Sequence, residues 1–190
     1  MRIFTAYLQS ASPYSQSRFH DTPKLDKESA DAYELRTWPM KMHTTPDGFV
    51  CIPATAFKFG LDATAQYLGI KIPGQRNKTW KPKFQSGVGV FDPLALPLRP
   101  KDVKGERIFV NSDGVRGSGK RVFKWFPHIP AWEGKVVFHA FDEVVTTDPF
   151  AYHLKQFGAF IGIGRFRPQV GGFNGRFIVK DIDVEEVDMS

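Results

Sequence analysis

A chain of 190 residues with a formal net charge of +6 and one cysteine is long enough to bury a core. The lone Cys51 excludes an intrachain disulfide and a cysteine-built zinc cluster, and its apolar neighbourhood marks it as a small buried hydrophobe. The positive balance suits a polyanionic partner, and eighteen phenylalanines are more than a small core needs, so some rings are expected on the surface.

Residues 2–9 alternate Ile3, Thr5 and Tyr7 with Phe4, Ala6 and Leu8, mostly apolar on both faces, as a central strand requires. The start M-R-I-F-T-A-Y-L lacks the layout of a secretory leader, and no apolar run approaches bilayer length, so the chain reads as soluble and cytoplasmic, with no membrane partner. From 10 to 48 it turns polar; this stretch reads as an insertion outside the core, with one short helix between 26 and 38. A short strand at 49–52 precedes Pro53, a good helix opener. Phe57, Leu61, Ala65 and Leu68 then recur at helical spacing until Gly69 ends the helix.

Residues 71–85 carry Lys71, Arg76, Lys78, Lys81 and Lys83 with no acidic residue, and read as a basic loop or protruding hairpin. Strands are expected at 88–91 and 107–111. The turn-rich run N-S-D-G-V-R-G-S-G-K-R-V-F-K follows and ends in a basic strand start. A further strand spans 135–141. Thr147 and Asp148 are cap-type residues ahead of a helix carrying Phe150, Leu154 and Phe157, and an alternating strand at 176–187 ends in acidic residues. The core order β-α-β-β-α-β predicts an α+β, ferredoxin-like fold: a four-stranded antiparallel sheet with both helices on one face.

Between the second helix and the last strand lies I-G-I-G-R-F-R-P-Q-V-G-G-F-N-G-R-F, residues 161–177, with five glycines, three arginines and three phenylalanines. Glycine lets backbone approach a partner, arginine forks onto phosphate oxygens, and an aromatic ring gives a base a face to stack on. It is not a dinucleotide fingerprint, because it follows a helix and opens a strand. Arg165, Arg167 and Arg176 with Gly162, Gly164, Gly171 and Gly172 are the first candidates for contact with a single strand. Arg116, Lys120 and Arg121 in the turn-rich run are the second group, and Lys78, Lys81 and Lys83 the third.

Two stretches resemble the RAMP superfamily of CRISPR-associated proteins, and within it the Cas-seven-type backbone subunits that line a guide RNA. In G-F-V-C-I-P-A-T-A-F-K-F-G-L, residues 48–61, Ile52 and Pro53 stand at the family's Ile-Pro, Thr55 and Ala56 at its serine pair, and Lys58 at its lysine. The glycine-rich stretch is similar to the family's loop before the last strand, with Gly162 and Gly164 at its first glycine pair. Ala54 and Phe59 replace expected glycines, and the spacing from Gly164 to Gly171 is one residue longer than usual. The resemblance implies one RAMP-like domain over 1–190 with insertions at about 10–48 and 71–120, an insertion acting as a thumb, a nucleic-acid-binding role for Lys58, and head-to-tail assembly along single-stranded nucleic acid, RNA foremost.

No histidine pairs at metal-ligand spacing, and no H-E-x-x-H is present. His20 with Asp21 is the best catalytic candidate, yet H-D in a polar loop is an ordinary turn; His139 belongs to a sheet face. Neither a cofactor nor a metal is implied. The reading is a non-enzymatic, sequence-independent binder of single-stranded nucleic acid that forms homo-oligomers or a CRISPR-type assembly. Its rivals are a mobile-element or phage mimic that docks on a CRISPR complex by protein contacts, and an endoribonuclease.

Overall fold

The computed structural model describes residues 1–112, 117 and 119–188. The chain opens with β1 (Arg2–Ser10), followed by α1 (Ala30–Thr37), the two-residue strand β2 (Cys51–Ile52) and α2 (Ala54–Leu68). Next come α3 (Trp80–Gly87), β3 (Val88–Gly89), β4 (Leu94–Ala95), β5 (Lys104–Asn111) and β6 (Arg121–His128). It closes with β7 (Glu133–Ala140), α4 (Thr147–Gln156) and β8 (Phe177–Glu186). The main sheet has the order β3-β7-β1-β8, and each neighbouring pair is antiparallel. With β1, α2, β3, β7, α4 and β8 as the core, this is the ferredoxin-like arrangement.

The period-2 pattern of β1 decides which face is covered. Phe4, Ala6 and Leu8 are fully buried, and Phe4 lies opposite Phe138 of β7 and Val184 of β8. The Phe4 ring stacks on Phe150 of α4 with centroids 4.1 Å apart, and Phe57, Leu61 and Ala65 of α2 join the same core. Each such side chain contributes roughly 1.5–3 kcal/mol by leaving water. The other face keeps Ile3, Thr5 and Tyr7 half-buried, beside a row of Asp181, Asp183 and Glu185 on β8.

Several expectations need correction. Residues 71–85 are not simply a loop or hairpin: from Trp80 onward the chain is α3, because Trp80 and Phe84 sit one turn apart and both are buried. The strand at 49–52 shrinks to Cys51–Ile52 and pairs with β4, outside the main sheet. Thr147 is the first residue of α4, and Thr146 before it makes no side-chain capping bond. The 10–48 stretch is not excluded from the core, since Tyr14 and Met42 are both buried within it. Its short helix is α1, capped by the Ser29 hydroxyl, which accepts from the Ala32 amide.

The two insertions pack on each other. The β5-β6 hairpin lies against α1 and the turn after it: the Trp125 amide donates to Glu34, Lys41 Nζ donates to the Trp125 carbonyl at 2.8 Å, and Arg107 pairs with Asp31 at 3.0 Å. Gly105 leaves room for the Trp38 indole, which a Cβ there would meet at 2.8 Å.

Candidate nucleic-acid interface

Three segments distant in sequence meet at Arg165. Its amide donates to the Ser15 carbonyl, and its guanidinium lies 3.2 Å from the ring centre of Phe126 on β6 and 3.8 Å from that of Phe166. Burial pulls this guanidinium down to about 10, against the pull of Glu106 and Glu34, so it stays charged at neutral pH. Its Nη1 is buried and has no hydrogen-bond partner among the described residues.

Arg165 and Ser17 line both of two neighbouring grooves, which meet at these residues. The first, of about 1030 Å³, runs between the β5-β6 hairpin and the glycine-rich loop, with Lys41, Arg121, Lys124, Phe109, Phe126 and Phe166 on its walls. Glu34, the one carboxylate on its walls among the described residues, is bonded to Lys41 at 2.6 Å. The second, of about 450 Å³, runs between the glycine-rich loop and the start of α2, with Thr55, Ala56, Phe59, His43, Arg165 and Arg167 on its walls. Among the described residues, no carboxylate lines it.

The start of α2 adds positive potential to the second groove. Pro53 is the N-cap and makes no side-chain bond, and the first turn holds no acidic residue. The first amides of a helix have no partner within the helix, and the macrodipole adds partial positive charge there. Arg167 is held against its own loop by bonds from Nε to Gln169 at 2.9 Å and from Nη1 to the Gly164 carbonyl at 3.2 Å.

The glycines serve the loop itself. Gly164 has φ +73°, and a Cβ on it would strike the Ser15 carbonyl and the Tyr14 ring. A Cβ on Gly172 would strike the Phe166 carbonyl, and one on Gly162 would meet Pro168 at 2.6 Å. Gly171, at φ +77°, closes the 168–170 turn. These residues let the loop fold onto residues 13–16, so Gly164 has a packing role of its own beside the expected approach to an incoming strand. Arg176 is similarly internal, donating from Nε to the Ala159 carbonyl at 3.2 Å.

The remaining candidates separate. Lys58 donates to Asp62 at 2.6 Å and to the Phe84 and Gln85 carbonyls at 2.8 and 3.0 Å, which ties α2 to the end of α3. Its ammonium has three protons and all are used in these bonds, so the nucleic-acid contact implied by the resemblance would require one of them to be given up. Lys83 pairs with Asp142 at 2.8 Å and holds that carboxyl below its ordinary range. Lys81 is half-buried on α3 and Lys78 exposed on the preceding loop; neither borders the grooves. Arg121 lines the first groove, donates to the Phe109 carbonyl at 2.7 Å and covers the Phe109 ring; Lys120 is exposed beside it. Arg116 lies outside the described residues, as do Asp113 and Ser118.

Sequence reasoning missed Lys41, Lys124, Phe126 and Phe59. Lys124 closes the basic run that begins at Lys120, a signal that was present. Phe59 stands where the RAMP pattern has glycine, and its exposed ring lines the second groove. Lys41 and Phe126 carry no local signal, because only packing brings them together, with the Lys41 ammonium 4.4 Å from the ring centre.

No protein-family model matches this chain, and no curated protein matches it. Solved structures do match in three dimensions. A chain in the cryo-EM structure of the Type III-B Cmr-beta bound to cognate target RNA aligns with TM-score 0.53 and 14% identity, over 96% of this chain and 60% of that one. The crystal structure of Cmr6 from Pyrococcus furiosus aligns at 15% identity over 94% of this chain and 98% of that one, with TM-score 0.48. This chain thus spans about 60% of the length of the Cmr-beta chain. The Cmr-beta likeness establishes a shared fold, and it is the fold expected from the RAMP resemblance.

Proposed function

We propose that this chain binds single-stranded nucleic acid, RNA foremost, without reading its sequence, along the two grooves that meet at Arg165. The observation that carries this reading is the junction at Arg165. On one side lies a groove with two arginines, a helix start and, among the described residues, no carboxylate; on the other lies a groove walled by aromatic rings and basic side chains. A positive channel that tracks phosphates, with rings for bases to stack on, is what sequence-tolerant binding of a single strand requires. The Cmr-beta chain of the same fold comes from a complex bound to target RNA.

Side-by-side assembly belongs to the same reading. The acidic β8, with Asp181, Asp183, Glu185 and Glu186, is one edge of the sheet. The basic residues 71–83 lead into β3, the other edge. Opposite charge on opposite edges suits a head-to-tail contact that leaves both ends open. We assign the chain a binding role rather than cleavage of the strand, within one RAMP-like domain whose insertions form the hairpin wall.

The test is titration of a labelled mixed-sequence RNA at several salt concentrations. The logarithm of affinity should fall linearly with the logarithm of salt, and the strand should remain intact after long incubation. Affinity that stays flat with salt overturns the binding reading, and cleavage products favour the endoribonuclease. A second reading, docking on a protein complex, has one observation in its favour: Phe91 and Phe141 are exposed and cluster with His139 on the uncovered sheet face. Capture of protein partners with no nucleic acid would select it.

A further inference from the structure

Phe166 has φ +57°, a left-handed conformation that an aromatic side chain rarely adopts. The surroundings impose it. The preceding amide, that of Arg165, donates to Ser15, the Phe166 carbonyl accepts from the Asn174 amide at 3.0 Å, and Gly172 presses against that carbonyl. A turn in the left-handed region is met at least cost by glycine, and this loop is otherwise rich in it. Keeping a ring there stores backbone strain, and strain of this kind gathers at ligand sites.

The ring is placed for use. It forms the outer tier of a three-layer stack, Phe126, then the Arg165 guanidinium, then Phe166, and it lines the first groove, where the exposed Phe109 ring also stands. The stack makes Phe166 a rigid platform with a cation beneath it. Arg121 and Lys124 border the same groove, where phosphates on either side of a stacked base would run.

We propose that the first groove is a base slot: it takes one unstacked nucleobase of the bound strand, seated flat on the Phe166 ring. This rests on the nucleic-acid reading above and adds that the two grooves do different work, phosphate contact beside α2 and base stacking beside the hairpin. The chemistry specifies a planar heteroaromatic ring attached to a phosphodiester chain, and any of the four bases satisfies it.

The experiment compares an oligouridine strand with a fully abasic strand of equal length, equal in phosphates and lacking only bases. The wild-type protein should prefer oligouridine by roughly 5- to 150-fold, the scale of one base stacked on an aromatic side chain. Phe166→Gly removes the ring and relieves the left-handed strain, so the fold is retained. It should still bind the abasic strand with an affinity that falls with salt, while its preference for oligouridine falls toward one. Phe166→Tyr should restore it. Equal wild-type affinity for the two strands overturns the slot and leaves phosphate binding standing. A preference that survives in Phe166→Gly also overturns it, by moving the base contact to another ring such as Phe59. If neither strand binds, the nucleic-acid reading falls and the slot with it.

Discussion

Two sets of basic residues look alike along the chain and differ in space. Lys58 and Lys83 direct their ammonium groups inward, onto Asp62, Asp142 and the carbonyls that end α3. Arg165 and Arg167 line the grooves, and Arg165 keeps one buried nitrogen without a partner among the described residues. Positive charge serves recognition only where its donors are not already spent on the fold. The first set holds helices together, and the second is assigned to the strand.

Gly164 carries the largest expected effect. Gly164→Val should lower stability by about 3 kcal/mol, because it combines a left-handed backbone with overlap on Ser15 and Tyr14. The urea midpoint reads this, and an unchanged midpoint would return Gly164 to the strand-approach role. Next, Lys58→Met should cost about 1–3 kcal/mol of stability by stranding Asp62 and two carbonyls, while strand affinity stays at the wild-type value. A loss of affinity without a loss of stability would put Lys58 with the arginines.

The opposite pattern is expected for Arg165→Ala combined with Arg167→Ala. Binding should weaken by about 1–3 kcal/mol and the salt slope should fall by about 2, one for each phosphate contact. Wild-type affinity and slope in this double variant would move the strand path away from the loop. At the small end, Lys83→Ala should cost only about 0.2–1 kcal/mol, since its pair with Asp142 is partly exposed to water.

A pH series sharpens the view of α3 as structural. His153 is buried against Phe84, with ring centres 4.5 Å apart, and donates from Nδ1 to the Pro149 carbonyl. Burial holds its pKa below the ordinary 6.5, so the unfolded chain takes up this proton first. Its contribution to stability is therefore complete above about pH 6.5 and shrinks as pH falls through the folded value. His43 shifts in the same direction through burial, with Arg18 adding to it. His153→Phe should flatten this limb of a melting-temperature series, and an unchanged limb would assign it to His43.

The core elements were legible because their signals are local and periodic. Alternation in β1, the 3.6-residue spacing of α2 and the left-handed Gly69 that ends it each depend on neighbours within a turn or two. The two-residue β3 was legible as an apolar stretch, but its short pairing with β7 was not. The glycine-rich loop announced itself by composition, although the purpose of its glycines did not: whether a missing Cβ faces a ligand or the chain's own Ser15 is a question of what packs there.

What the sequence alone determined is the order of the core strands and helices, the surplus of positive charge and the loop that carries arginine among glycines. Only the tertiary structure decided which of those charges are free to act. The hairpin, the 13–18 segment and the glycine-rich loop lie far apart along the chain, and they converge on Arg165 through one backbone bond and two rings. Long-range packing sets such contacts. No local pattern encodes that Lys58 is consumed by the end of α3 while Phe166 is held in a strained turn at the edge of an open groove.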